Sequence, residues 1–138
     1  MGHFGQVRLL LDTHIWLRSE LEPKRLSRRV ARALADSRNE LWLSPVSIWE
    51  TLLLYRKGRV NLHGGPTVWI TNALSRAPFR EAPLTYEVAL ATEDVILPHL
   101  DPIDRFLAAS AKVYDLTLVT ADENLIRGKG YSVLANQT

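Results

Sequence analysis

Short unbroken apolar runs alternate along the chain with longer stretches in which apolar residues recur every three or four positions. Val7–Leu11, Leu41–Leu43 and Thr117–Thr120 are runs of the first kind. At that length, with almost no polar interruption, they read as strands buried on both faces, the habit of a parallel sheet. Arg80–Leu84 and Tyr131–Leu134 read as two further strands. Between them the helical period predicts helices over Thr13–Ser19, from a Ser27 cap to about Ser37, over residues 67–76, over Thr85–Asp94, from Asp101-Pro102 through Val113, and from Asp122 to about Arg127. Val30, Ala33 and Leu34 form the apolar side of the second of these.

The boundary residues support the same division. Ser44-Pro45 opens a helix, with a cap oxygen followed by the residue best suited to the first helical position. That helix places Val46, Trp49, Leu52 and Leu53 on its apolar side and ends near Lys57-Gly58, where Gly suits a left-handed cap. Gly64-Gly65-Pro66 and Gly128-Lys129-Gly130 mark turns. Strands alternating with helices, without hairpin signals, predict an α/β sandwich around a parallel sheet. Ligands of such sheets bind beyond the carboxyl ends of the strands.

Acidic residues stand at that edge. Asp12 closes the first strand, Asp122 follows the run ending in Thr120, Glu50 lies on the helix after Leu43, and Asp104 sits in Asp101-Pro102-Ile103-Asp104. Taken singly, each has a structural use: Asp12, Asp101 and Asp122 as helix or turn caps, Asp104 in a capping box, Glu50 as a solvated helical residue. Taken together they exceed what capping requires. Glu50 falls between Trp49 and Leu52, among residues expected to face the core, and a buried unpaired carboxylate is costly. A hard cation such as Mg²⁺ or Mn²⁺ would relieve both burial and mutual repulsion. Thr13 and Thr120, beside two of the acids, are candidates for orienting water or phosphate, and equally ordinary turn and strand residues.

Composition narrows the classes. A chain of 138 residues suits one domain spanning 1–138. The absence of Cys excludes disulfides, thiolate metal sites and Cys nucleophiles. No apolar run approaches the roughly 20 residues that span a bilayer, and the opening Met1–Gly5 lacks the order of a secretory signal. A cytoplasmic protein with no membrane partner is expected. The net charge of +2 hides an asymmetry: residues 1–60 hold 11 Lys and Arg against 6 Asp and Glu, residues 61–138 hold 6 against 9. Arg25, Arg28, Arg29 and Arg32 recur at helical spacing and form a candidate surface for RNA or an acidic partner. Trp16, Trp42 and Trp49 sit at apolar-periodic positions and are expected in the core; the four histidines carry no pairing signal of their own.

Four stretches together resemble the PIN domain, and within it the VapC-type toxin branch. They are Leu9–Trp16, Ser44–Glu50, His99–Arg105 and Val119–Asp122, in the family's order and spread over nearly the whole chain. The resemblance implies a three-layer α/β/α fold with a central, mainly parallel sheet. It implies a Mg²⁺- or Mn²⁺-dependent endoribonuclease whose catalytic and metal-binding set is Asp12, Glu50, Asp104 and Asp122, with Asp12 and Asp104 holding the principal ion. Asp101 is assigned to capping. Ile103 stands where relatives often carry Phe. The implied partners are RNA, a cognate antitoxin that occupies the groove, and a second copy in a homodimer.

Other classes fit less well. A haloacid-dehalogenase-type phosphatase needs a second Asp where His14 stands, and neither a Gly-x-Ser-x-Gly elbow nor a phosphate-binding Gly-x-x-x-x-Gly-Lys loop is present. A non-catalytic PIN adaptor binding RNA or protein, and a PIN nuclease of RNA maturation outside any toxin system, are the alternatives within the resemblance.

Overall fold

A computed structural model describes residues 6–99 and 101–137. Met1–Gly5 and Leu100 of the His99–Arg105 stretch therefore lie outside the described residues. The elements run β1 (Arg8–Leu11), α1 (Thr13–Leu21), a 3-10 turn (Pro23–Arg25), α2 (Arg28–Ala35), β2 (Glu40–Leu43), α3 (Pro45–Arg56), α4 (Pro66–Arg76), β3 (Arg80–Glu81), α5 (Tyr86–Ala91), α6 (Pro102–Val113), β4 (Thr117–Thr120), α7 (Glu123–Arg127) and β5 (Ser132–Ala135). The strands form one sheet in the order β3-β2-β1-β4-β5, every neighbouring pair parallel.

The alternation of β1 divides the core in two. Leu9 and Leu11 face one side with Ile15, Trp16, Val30, Ile70 and Ala73, contributed by α1, α2 and α4. Leu10 faces the other with Val46, Leu107, Ala111, Leu118 and Leu125, from α3, α6, β4 and α7. All three leucines are essentially inaccessible to solvent. Continuous apolar character is what a strand covered on both faces requires, and the result is the three-layer α/β/α sandwich.

The predicted elements are present, with ends displaced by a few residues. The strand expected over Arg80–Leu84 is reduced to Arg80–Glu81, because only Trp42 and Leu43 of β2 pair with it. Ser27 and Ser44 cap α2 and α3 by accepting from the main-chain N–H of Val30 and Val46, and Gly58 takes the left-handed conformation at φ 69°.

One expectation is overturned. Trp49 is 53% exposed, whereas Val46, Ser47 and Thr51 are the buried residues of α3. The core-facing side of this helix joins Val46 to a seam of small polar residues, with Leu52 partly buried against the core and Trp49 turned away from it. Thr51 Oγ1 returns to the Ser47 carbonyl (2.8 Å), and Thr13 Oγ1 donates to Ser47 Oγ (2.9 Å), so α1 and α3 approach closely with their hydroxyls satisfied. Trp16 and Trp42 pack as expected, Trp16 edge-on to Trp69 and Trp42 stacked on Tyr114.

The strand order sets the position of a site. From β1 the chain moves to β2 and β3 on one side, then returns to place β4 and β5 on the other. The crevice beyond the carboxyl ends of β1 and β4 is the topological switch point, where open α/β sheets take ligands.

Candidate metal centre and nucleic-acid groove

Asp12 leaves the end of β1 at this crevice and caps α1, its Oδ1 accepting from the His14 N–H at 2.7 Å. Its Oδ2 accepts from Thr120 Oγ1 at 2.5 Å. The same Thr120 oxygen accepts from the Asp122 N–H at 3.0 Å. One hydroxyl at the end of β4 therefore joins the two strand-end acids, and Thr120 itself is fully buried. Asp122 in turn caps α7 through the N–H groups of Asn124 and Leu125. Asp101 caps α6 through those of Ile103 and Asp104. Capping and convergence are thus not alternatives: the caps turn the carboxylates toward the crevice.

Asp104 differs. No capping-box bond reaches back from its carboxylate; instead the Asp101 N–H donates to His99 Nδ1 at 3.1 Å. Burial and the negative charges of Asp101, Asp122, Asp12 and Glu50 push the Asp104 carboxyl up to about 7. Burial also raises Asp12, with the Thr120 hydroxyl and the His14 N–H opposing it. The charges of Asp12, Glu50 and Asp122 therefore all reach Asp104, and that of Asp122 reaches Asp12. Buried carboxyls facing further negative charge, with no Lys or Arg side chain paired to them among the described residues, have the donor chemistry of a divalent-cation site.

The structure adds two residues to the set. His99 Nε2 lies 3.3 Å from Asp104 Oδ2, and His99, Asp104 and Asp122 bring ligand atoms within 4.8 Å of one another. Tyr131 is pushed up to about 12 by burial and by the charges of Asp104 and Asp122. Its hydroxyl donates to the Leu125 carbonyl (2.7 Å) and fills the space beside Gly128, where any side chain would meet it. Neither residue had a readable signal beyond, for His99, its nearness to Asp101.

Two clefts flank the acids. The first, about 480 Å³, is lined by Glu50 with His14, Arg18, Arg25, Lys57, Arg59 and Ile103. The second, about 650 Å³, includes Arg18, Lys24, Arg25, Ala121, Glu123 and Asn136. They share Arg18 and Arg25. Glu50 is half-buried and faces the first cleft instead of the core.

The arginine stripe is broken. Arg25 belongs to the 3-10 turn, and α2 begins only after the Ser27 cap, so Arg25 does not continue the face of Arg28, Arg29 and Arg32. Arg28 and Arg32 are exposed on α2, and Arg29 lines a cleft with Val7, Leu9, Thr117 and Val133 near the amino-terminal ends of the strands. Thr13, buried and bonded to Ser47, lies in the helix contact and not in the groove.

Residues 9–130 match the family described as PIN domain. The chain is a PIN domain. PIN domains are a family of nucleases. Solved structures share the fold of this PIN domain over nearly its full length. VapBC2 from Rickettsia felis, bound to a fragment of its promoter DNA, has a TM-score of 0.70 at 15% identity, covering 94% of this chain and 98% of that one. DNA-bound VapBC from Salmonella typhimurium scores 0.65 at 17%, over 94% and 98%. FitAcB from Neisseria gonorrhoeae scores 0.64 at 22%, over 93% and 97%. No curated protein matches this PIN domain in sequence. Among its described residues no helix is long and apolar enough to cross a membrane.

Proposed function

We propose that this PIN domain is a Mg²⁺- or Mn²⁺-dependent endoribonuclease and the toxin of a toxin–antitoxin pair. The observation that carries the nuclease reading is the gathering of acids around Asp104, whose carboxyl is pushed up to about 7 by burial first and then by the charges of Asp101, Asp122, Asp12 and Glu50. Asp12 and Asp104 would hold the principal ion, with Asp122 and Glu50 completing its surroundings. When bound there, the ion supplies Lewis-acid polarisation of the phosphodiester and of the attacking water. Thr120 and the His14 N–H fix the Asp12 carboxylate before any ligand arrives. Arg18 and Arg25, shared by both clefts, and Lys57 and Arg59 in the first, offer cations to the RNA backbone.

The toxin assignment is supported by the fold shared with structures named as VapBC and FitAcB assemblies. A small protein partner, the antitoxin, would occupy the first cleft and exclude RNA.

The test is cleavage of total RNA by wild type, Asp12→Asn and Asp104→Asn, with Mg²⁺ or Mn²⁺ and with EDTA. Loss of cleavage in both variants and in EDTA is expected, with melting profiles showing an intact fold. Full activity in either variant or in EDTA refutes the mechanism. Growth arrest on expression, relieved by co-expressing the product of an adjacent small gene, is the expected result for the toxin assignment; arrest that no adjacent product relieves counts against it.

A further inference from the structure

Asn136 is the first residue after β5, at the carboxyl edge of the sheet that also carries Asp12 and Asp122. Its main-chain N–H donates to the Thr120 carbonyl at 2.7 Å, one step beyond the Thr120–Ala135 pair that ends the β4–β5 ladder. Its side chain turns the other way, to the basic turn before α2. Oδ1 accepts from the Ser27 N–H at 2.6 Å, and Nδ2 donates to the Arg25 carbonyl at 3.1 Å. One side-chain amide thus meets one donor and one acceptor of the main chain, as a neighbouring strand would.

That turn has little else to hold it. Lys24 and Arg25 lie on the 3-10 turn, none of whose residues is buried. Leu26, just after it, is partly buried against the core, and the Ser27 hydroxyl then caps α2 through the Val30 N–H. The Asn136 amide spans the step from turn to helix and fixes the main chain from which the Arg25 side chain departs. The same residue is bonded to Thr120, whose hydroxyl donates to Asp12. Thr120 and Asn136 therefore join the acidic centre to the cations of the second cleft, which Lys24, Arg25 and Asn136 all line.

We infer that Asn136 is a positioning residue for the RNA backbone: its amide holds the turn that carries Lys24 and Arg25 at a fixed distance from the acids. The inference rests on the reading of the clefts as an RNA groove and adds a residue outside the acids and the cations. A cation already in place contributes its full attraction to a phosphate, whereas a turn that must be ordered on binding gives part of it back as lost conformational entropy. Asn136 acts through the turn, so its loss falls on RNA binding and KM and leaves the chemical step, at the acids, near its original rate.

The test is a double-mutant cycle on a fluorescein-labelled single-stranded RNA. Anisotropy in EDTA gives affinity, and steady-state cleavage in Mn²⁺ gives kcat and KM. Asn136→Ala is expected to weaken binding and raise KM about 10-fold, the scale of one hydrogen bond to a charged group, with kcat near wild type. In a Lys24→Gln/Arg25→Gln background the same substitution is expected to cost nothing further, because the cations it positions are gone. Amide exchange at Ser27 is expected to accelerate in Asn136→Ala while the amides of β1 and β4 stay protected. Asn136→Ser, too short to bridge both groups, is expected to behave in the same way and takes over where Asn136→Ala fails to fold. Unchanged affinity, or a fall in kcat with KM unchanged, overturns the inference. So does an equal loss in both backgrounds, which would make Asn136 a direct RNA contact. A wild type that binds no RNA removes the groove reading itself, and the positioning role with it, an outcome separate from a wild type that binds and an Asn136→Ala that binds equally well.

Discussion

A carboxyl group raised to about 7 by burial and by acidic neighbours binds protons and cations in competition. Asp104 is such a group, and Asp12 is raised in the same direction. Without a cation, the native state binds protons at Asp104 that the unfolded chain has already released, from its ordinary value of 3.8 up to about 7. The stability this group contributes is therefore full below the ordinary carboxylate range and is lost as pH rises through 7. In EDTA, melting temperature should fall between pH 5 and pH 8 more steeply for wild type than for Asp104→Asn. The stabilisation by Mn²⁺ should be larger at pH 8 than at pH 5.5; equal shifts at both would contradict a protonated Asp104.

Thr120 allows a second prediction. Its hydroxyl serves Asp12 and the Asp122 N–H at once. Thr120→Val should lower kcat about 10- to 100-fold with little change in KM, and Thr120→Ser should retain most of it; equal rates for Val and wild type would deny the link. At this scale the structure links Asp12 to Asp122 through Thr120; the sequence marked the four acids and Thr120 as candidates because strand ends and helix starts are local signals. It missed His99, because nothing local shows that the loop before α6 turns its ring back onto Asp104.

Among the elements, α3 shows where periodicity misleads. The apolar residues counted on it outnumber the small polar ones, yet Ser47 and Thr51 are fully buried and Trp49 is half in solvent. Proximity of α1 and α3 decides this: Ser47 touches Thr13, and a larger side chain would hold the helices apart. Ser47→Leu should destabilise the protein by about 1–3 kcal/mol through overpacking and the orphaned Thr13 hydroxyl. Trp49→Gln should stay within about 0.5 kcal/mol, as for other exposed positions. Urea midpoints distinguish the two, and the reverse order would restore the apolar-stripe reading. The strands were legible for the opposite reason. Burial on both faces leaves no polar position in β1 after Arg8, so no choice of face had to be made.

The molecule as a whole separates its basic residues by end. Arg18 and Arg25 stand where the two clefts meet, and Arg29 lies near the far ends of the strands. Arg25→Glu should weaken RNA binding and flatten its salt dependence, while Arg29→Glu leaves both near wild type, as read by fluorescence anisotropy across a salt series. Equal losses would return the binding surface to α2. The sequence could not make this separation. Helical spacing links residues 25, 29 and 32 only if one helix runs through them, and the Ser27 cap interrupts it.

The return of the chain from β3 to β4 has one more consequence. Asp12 and Glu50 lie on the segment that builds β1, β2 and β3; Asp104 and Asp122 lie on the segment that builds β4 and β5. The two meet along the β1–β4 seam, where the Asp12 N–H also bonds to the Val119 carbonyl. Neither segment holds more than half of the acids. Expressed as two polypeptides divided between α5 and α6, the halves should each be inert, and mixing them should restore Mn²⁺ binding and cleavage together. The fold would then act as a split reporter, silent until its pieces find each other.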